Sequence, residues 1–212
     1  DEGTPTAPLP PPSPVVAPAV VAFPPFGVTT PFIGREAEIN TLSHLLHHEK
    51  QRLVTIIGPG GMGKTRLAQQ VAVACGHHFR DGAAFVSLAA VADGQNVPTT
   101  IADGLGLPLQ QAIDVRERLL QLLAEREQLV VLDNFEHLLA PTTTAQTTAI
   151  EFIQTILQRS AGIHLLITSR ERLRIQRERT FELTGLATPH AATGLPAIEQ
   201  TEAAILFIER AQ

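Results

Sequence analysis

A glycine-rich loop between a strand pattern and a helix pattern constrains this chain more than any other feature. An apolar, β-branched run ends at Gly58, glycines follow at positions 60, 61 and 63, and Lys64-Thr65 opens a segment with helical spacing. The loop therefore reads G-x-x-x-x-G-K-T with a strand before it and a helix after it, the context in which this motif cradles phosphates. The alternative, a glycine-rich turn followed by a chance Lys-Thr, is disfavoured by those two flanks.

Each residue type in the loop has a physical reason. Glycine lacks a Cβ, so the backbone can adopt positive φ angles and turn its N–H groups inward. Those N–H groups and the positive end of the following helix attract phosphate oxygens. Lys64 adds a charge for the β- and γ-phosphates, and Thr65 offers a hydroxyl to Mg²⁺, which prefers oxygen ligands. We predict that ATP or ADP with Mg²⁺ is bound by Gly58, Gly60, Gly61, Met62, Gly63, Lys64, Thr65 and Arg66.

The composition argues against nucleic-acid binding, membrane association and an internal disulfide. The net charge of -5 argues against direct nucleic-acid binding by this segment, and the absence of Trp and Tyr leaves only Phe for base stacking. No apolar run approaches the ~20 residues that span a bilayer, so we expect no membrane association. The single cysteine, Cys75, excludes an internal disulfide and favours a reducing compartment, so we expect a cytoplasmic protein.

The first 30 residues differ from the rest of the chain. They hold nine of the 16 prolines, and only Asp1 and Glu2 are charged. Prolines remove backbone donors, so we expect an extended or disordered linker over residues 1–30 and a nucleotide-binding domain over residues 31–212. A chain that begins with a linker suggests a fragment with another region attached upstream; the alternative is a natural flexible terminus.

Strand and helix patterns alternate downstream of this linker. After the strand that precedes the phosphate loop, further strands are predicted at residues 83–88, 128–132, 163–168 and 180–183. Helices are predicted at residues 35–48, 95–106, 112–126, 147–159 and 199–211, besides the helix that follows the loop. Alternation of this kind predicts an α/β fold with a parallel sheet and helices on both faces. Ligands of such sheets bind beyond the carboxyl ends of the strands, where Gly58, Asp133 and Thr168-Ser169-Arg170 all fall.

Asp133 follows four buried apolar residues, 129–132, at the end of a predicted strand. A carboxylate at that edge can hold Mg²⁺ through water, although an aspartate can also cap a following helix. Asn134 occupies the position where many hydrolytic relatives have a second acid, and an amide cannot take a proton. Glu136 can serve as the catalytic base instead, or it can be a first-turn glutamate favoured by the helix dipole. We therefore expect slow ATP hydrolysis at best.

Arg170 ends the fourth predicted strand. Its planar guanidinium matches phosphate oxygens and can sense or stabilise the γ-phosphate. Arg172, Arg174, Arg177 and Arg179 continue a basic stretch that Glu171 and Glu178 interrupt. A solvated surface and a contact with a partner or neighbouring subunit both remain open for that stretch.

Four segments together resemble one family. They are Phe32-Ile33-Gly34-Arg35-Glu36, the phosphate loop, Leu132-Asp133-Asn134-Phe135-Glu136-His137-Leu138 and Thr168-Ser169-Arg170-Glu171. In this order they look like the NB-ARC nucleotide-binding domain of STAND-class signalling ATPases, especially those of bacterial SARP-type and LuxR-type transcriptional regulators. The likeness covers about residues 30–212. It implies a three-layer α/β/α P-loop fold whose five parallel strands have the order 2-3-4-1-5.

The resemblance also assigns residues and partners. It implies that Ile33 and Arg35 lie beside the adenine and ribose, that Asp133 and Thr65 serve Mg²⁺, and that Arg170 senses the γ-phosphate. In this family a following helical and winged-helix region closes over ADP with a GLPL-type motif. Gly194-Leu195-Pro196 precedes the last predicted helix, whereas the family motif follows it, so we expect that clamp to lie outside this chain.

The favoured hypothesis is a nucleotide-controlled switch. ADP would hold a closed monomer, and ATP would permit opening and self-association, with an N-terminal effector and a C-terminal sensor domain as the partners that the resemblance implies. One alternative is a turnover ATPase of the motor or AAA type, which needs fast hydrolysis and usually a basic nucleic-acid track. A small-molecule kinase is a third possibility, but only Arg66 and Arg80 follow the phosphate loop closely as candidate substrate arginines.

Overall fold

The computed structural model describes Phe32 and residues 34–107, 114–139 and 144–185. The predictions for residues 1–30, Ile33, Gly194-Leu195-Pro196 and the helix at 199–211 lie outside the described residues.

Five strands form one parallel sheet within the described residues, in the order β2-β3-β4-β1-β5. The sheet order and the α/β class that the sequence analysis expected are confirmed. The strands are β1 Leu53–Ile57, β2 Ala83–Ser87, β3 Gln128–Asp133, β4 Ile163–Ser169 and β5 Arg179–Glu182.

Helices cover both faces of this sheet. They are α1 Glu36–His47, α2 Lys64–Cys75, α3 Val97–Gly104, α4 Val115–Ala124 and α5 Thr144–Arg159. One apolar core lies between the sheet and α1 and α2, and a second lies between the sheet and α3, α4 and α5. The fold is therefore a three-layer α/β/α arrangement.

The central strands show why the sequence reads as continuous apolar runs. In β3, Leu129 and Val131 belong to the core under α1 and α2, while Val130 and Leu132 belong to the opposite core. Successive side chains of a strand point to opposite faces, so a strand covered on both faces must be apolar at every position. Each such buried side chain contributes about 1.5–3 kcal/mol of transfer free energy.

Element boundaries differ from the sequence expectation by a few residues. The helix expected at 95–106 is a 3-10 turn, Gly94–Asn96, followed by α3, and it ends at Gly104. Pro98 lies in the first turn of α3, where its missing N–H costs nothing, and Gly106 turns the chain at φ 67. The segment 112–126 is helical over Val115–Ala124, with Asp114 capping it, and β5 begins and ends one residue earlier than expected.

Strand register decides which motifs meet. Ile57 of β1 pairs with Ser169 of β4, and Leu132 of β3 pairs with Ile167 of β4. Because these strands are parallel, the residues after β1, β3 and β4 emerge at the same edge of the sheet.

Candidate nucleotide-binding site

The loop between β1 and α2 has the backbone geometry that its glycines predict. Gly61 and Gly63 adopt φ angles of 78 and 84, in the left-handed region that favours glycine. A Cβ at either position would meet nothing within 4 Å, so glycine is needed there for its backbone and not for space. Gly58 has a different reason, because a Cβ there would lie 3.0 Å from the carbonyl oxygen of Leu183.

The Lys64 side chain binds the backbone of the phosphate loop. Its side chain is largely buried, with 8% of the residue exposed, and its Nζ donates to the carbonyl oxygens of Gly58 at 2.8 Å and Pro59 at 2.9 Å. The ammonium group is thus held inside the loop by two of the loop's own carbonyl oxygens. The predicted contact of Lys64 with the β- and γ-phosphates stays a prediction.

Asp133 joins the phosphate-loop helix to two strands. Its Oδ1 accepts hydrogen bonds from the Thr65 hydroxyl at 2.8 Å and from the Thr168 hydroxyl at 2.6 Å. Both bonds are charge-assisted, which makes them short and strong compared with bonds between neutral groups.

This oxygen-rich arrangement fits Mg²⁺. A hydroxyl carries one proton and two lone pairs, so Thr65 can keep donating to Asp133 while a lone pair ligates a cation. Mg²⁺ retains several of its waters, and the second oxygen of Asp133 can orient one of them. Thr65 and Asp133, the two predicted metal residues, are therefore adjacent and chemically suited to the ion.

Arg170 lies against the phosphate loop. Its Nη2 is 3.5 Å from the point where a Cβ on Gly60 would be, and its Nε donates to Glu136 Oε1 at 3.1 Å. The arginine side chain is 66% exposed, whereas that of Glu136 is only 17% exposed. The other carboxylate oxygen of Glu136 is buried and has no hydrogen-bond partner among the described residues. The predicted phosphate sensor and the predicted base therefore contact each other beside the loop.

Arg35 has partners that the sequence did not reveal. It is buried in a left-handed backbone conformation, and its guanidinium donates to Glu38 at 2.8 Å and to the Thr184 carbonyl at 2.7 Å. Its predicted contact with the adenine or ribose stays a prediction. The other predicted base-side residue, Ile33, lies outside the described residues.

Met62 and Arg66 complete the predicted set on the α2 side. Met62 is partly buried against the α1–α2 core, and the guanidinium carbon of Arg66 is 5.7 Å from the centre of the Phe32 ring. That cation–π contact holds Phe32 close to the start of α2.

The sequence did not predict the contacts that two residues make at this site. Thr168 was recognised as part of a motif, but its bond to Asp133 was not; parallel pairing of β3 with β4 is the pattern that could have indicated it. His137 was also recognised without a role. Its ring links Asn134 to Val91, which lies 46 residues earlier in the chain, and no local pattern reports such a contact.

In the part of the chain that the structure describes, no helix has the length and hydropathy needed to cross a membrane.

Comparisons with known proteins agree with this geometry. A family model described as "AAA ATPase domain" matches residues 31–187. An uncharacterized protein of Mycobacterium tuberculosis is 33% identical over 183 residues, which are 86% of this chain and 42% of that protein. A "Putative HTH-type transcriptional regulator" of the same species is 35% identical over 146 residues, which are 69% of this chain and 16% of that protein. The chain thus spans less than half the length of either relative.

A solved structure supports the fold. The Aeropyrum pernix ORC1 protein in complex with DNA superposes with a TM-score of 0.57 at 21% identity, over 87% of this chain and 52% of that chain. At this identity the likeness concerns the fold alone.

Proposed function

The chain belongs to the AAA ATPase domain family, and on this premise we propose that it is an ATP/ADP-controlled switch domain of a bacterial STAND-type signalling or transcriptional regulator. The family binds nucleotide, and the site described above has the corresponding phosphate loop. The regulatory role is supported by the 35% identity to a protein named as a transcriptional regulator, of which this chain matches only 16%. An N-terminal effector, a C-terminal sensor and nucleotide-dependent self-association complete the proposal.

The position of Arg170 carries this proposal. Its guanidinium lies close to Gly60 of the phosphate loop and is bonded to Glu136, so a γ-phosphate can compete with the carboxylate for it. One charge-assisted hydrogen bond is worth roughly 1.5–3 kcal/mol, which is tenfold or more in relative ATP and ADP affinity. A shift of populations from 1:99 to 99:1 needs about 5.5 kcal/mol. Arg170 therefore provides about half at most, and contacts from the regions that we propose to follow this chain would provide the rest.

Slow hydrolysis follows from the contacts that the carboxylates make at the carboxyl edge of the sheet. Asp133 is committed to the hydroxyls of Thr65 and Thr168, and the residue after it is an amide, so Glu136 is the available base. Glu136 is itself paired with Arg170. Removal of the arginine by a γ-phosphate would free the carboxylate at the moment when it is needed.

Nucleotide binding can be tested with the two lysines of the chain. Lys64→Ala should abolish ATP and ADP binding measured by titration calorimetry, because the charge at the centre of the loop is lost. Lys50→Ala is the matched control, since Lys50 lines a cavity of about 450 Å³ before the start of β1, at the opposite edge of the sheet. Unchanged ATP affinity in Lys64→Ala would refute the phosphate-loop assignment.

The sensor role can be tested with two exposed arginines. Arg170→Ala should reduce ATP affinity about tenfold while ADP affinity changes less, because only ATP offers the γ-phosphate. Arg172→Ala, two residues away and also exposed, should leave both affinities unchanged. Equal losses for ATP and ADP in Arg170→Ala would contradict the switch and leave simple nucleotide binding.

A motor-type ATPase is the second candidate, and the match of residues 31–187 to the AAA ATPase domain is the observation that favours it. The steady-state rate distinguishes the two functions. A rate well above about one per second is typical of a turnover enzyme and would favour the motor.

A further inference from the structure

His137 is held from both sides of its ring. Its Nε2 is 2.7 Å from the carbonyl oxygen of Val91, and its Nδ1 is 3.3 Å from the side-chain nitrogen of Asn134. Val91 belongs to the turn after β2, and that turn is itself attached to β3, because the Leu88 N–H donates to the Asp133 carbonyl at 2.9 Å. The ring thus connects two segments that meet at the carboxyl end of the sheet.

These contacts determine the tautomer of the ring. A carbonyl oxygen can only accept, so Nε2 must carry the proton that it donates to Val91. The neutral ring then has a lone pair on Nδ1, which can only accept. The group that Asn134 turns toward it must therefore be the NH₂, as the structure has it. The carbonyl of Val91, which is 46 residues from His137 in sequence, thus determines which end of the Asn134 amide faces the ring.

The backbone of Asn134 is fixed independently. It has φ 65, a left-handed conformation that asparagine tolerates better than most residues, and its N–H donates to the Thr168 hydroxyl at 2.9 Å. Thr168 in turn donates to Asp133. Because the NH₂ is the group that faces His137, the carbonyl oxygen of the same amide is available for another contact.

We propose that His137 is a positioning residue that keeps the carbonyl oxygen of Asn134 directed at the water that attacks ATP. This rests on the proposed function. An amide can orient an attacking water without accepting its proton. The water oxygen bonds to the γ-phosphorus, the bond from phosphorus to the β–γ bridging oxygen breaks, and its electron pair leaves with ADP. One water proton passes to Glu136, the base of the proposed function, and the other stays on the released phosphate.

Two substitutions separate the two contacts of the ring. His137→Asn keeps an acceptor close to the position of Nδ1 but is too short to reach Val91. His137→Gln keeps a donor near the position of Nε2 but offers no acceptor where Asn134 needs one. We expect His137→Gln to slow single-turnover ATP hydrolysis about three- to tenfold, the value of one neutral hydrogen bond, and His137→Asn to stay near the wild-type rate. ATP affinity should be the same in both variants, and His78→Gln is the matched control on the exposed surface.

A double-substitution cycle tests whether His137 acts through Asn134. Asn134→Ala should lose the same factor as His137→Gln, and the pair of substitutions together should lose no more than either one. Multiplying losses would mean that the histidine acts by another route and would overturn the proposal. So would an unchanged rate in His137→Gln, or a rate lost in His137→Asn and kept in His137→Gln.

The tautomer gives a readout that does not depend on activity. Long-range proton–nitrogen NMR correlation spectra of the chain, with the His137 signals identified by their loss in His137→Asn, should show the proton on Nε2. A proton on Nδ1 would overturn the proposal. A chain that binds ATP but hydrolyses none would also overturn it, while leaving nucleotide binding intact. A chain that binds no ATP would refute the proposed function instead.

Discussion

Two buried threonines offer a matched test of how the site is held together. Thr168 on β4 is 1% exposed, and its hydroxyl donates to Asp133 at 2.6 Å and accepts from the Asn134 N–H at 2.9 Å. Thr55 on the neighbouring strand β1 is fully buried, and its hydroxyl has no hydrogen-bond partner among the described residues. Replacing either by valine removes one hydroxyl and keeps the branched shape, so the same chemical change should have opposite effects on stability.

The magnitudes follow from the bonds that each hydroxyl makes. Thr168→Val loses a bond to a carboxylate, worth about 1.5–3 kcal/mol, and leaves the Asn134 N–H without its acceptor, worth about 1 kcal/mol more. The expected loss is therefore about 2.5–4 kcal/mol. Thr55→Val removes a buried hydroxyl that is not compensated, which should stabilise the chain by about 1 kcal/mol.

The assay is urea unfolding followed by far-UV circular dichroism, because a chain without Trp or Tyr has little intrinsic fluorescence. With a slope of about 2 kcal/mol per molar urea, Thr168→Val should lower the midpoint by about 1–2 M and Thr55→Val should raise it by about 0.5 M. If Thr168→Val unfolds at the wild-type midpoint, or if both variants shift in the same direction, the bonding around Asp133 that we describe is wrong.

Three further predictions concern other parts of the chain. Gly63→Ala and Gly82→Ala both force alanine into a left-handed conformation with open space around it, so each should cost about 1–2 kcal/mol of stability. Calorimetry should show weaker ATP binding only for Gly63→Ala. Equal ATP affinities in the two variants would argue against phosphate binding by the loop that contains Gly63. Burial lowers the pKa of His164, so the folded state binds fewer protons than the unfolded state, and stability should fall as the pH drops through about 6.5. Thermal unfolding between about pH 7.5 and 5.5 should show this fall, and His164→Gln should reduce it; an identical fall in that variant would exclude His164 as the cause. Burial raises the pKa of the Cys75 thiol to about 11, so a disulfide reagent at about pH 8 should label it only in urea, and rapid labelling of the folded chain would contradict its burial.

The motifs of the site were predictable because each depends on local patterns. Positive φ angles at Gly61 and Gly63, the buried run that ends at Asp133, and the strand that ends before Arg170 are all written in short stretches of sequence. Parallel topology then brings such strand ends to one edge, so their convergence could be inferred without coordinates. The sheet order came from the resemblance, and the structure confirms it.

The partners of individual polar groups could not be predicted in this way. Arg35 donates to Thr184, which is 149 residues away, and Arg170 and Glu136 are 34 residues apart. Several partners of suitable chemistry lie at the same edge, and local patterns do not distinguish among them. The sequence also could not predict that the Thr55 hydroxyl has no hydrogen-bond partner among the described residues, because threonine is common in strands whether or not its hydroxyl is bonded.

The sequence by itself determined that this chain forms a parallel sheet with a phosphate loop after its first strand, because periodicity and glycine placement act over a few neighbouring residues. Only the tertiary structure decided that Thr168 shares Asp133 with Thr65, and that the His137 ring lies between the side chain of Asn134 and the carbonyl of Val91. These bonds depend on the register of neighbouring strands and on side-chain rotamers. Differences of a few ångströms, which no local pattern encodes, decide which donor reaches which acceptor.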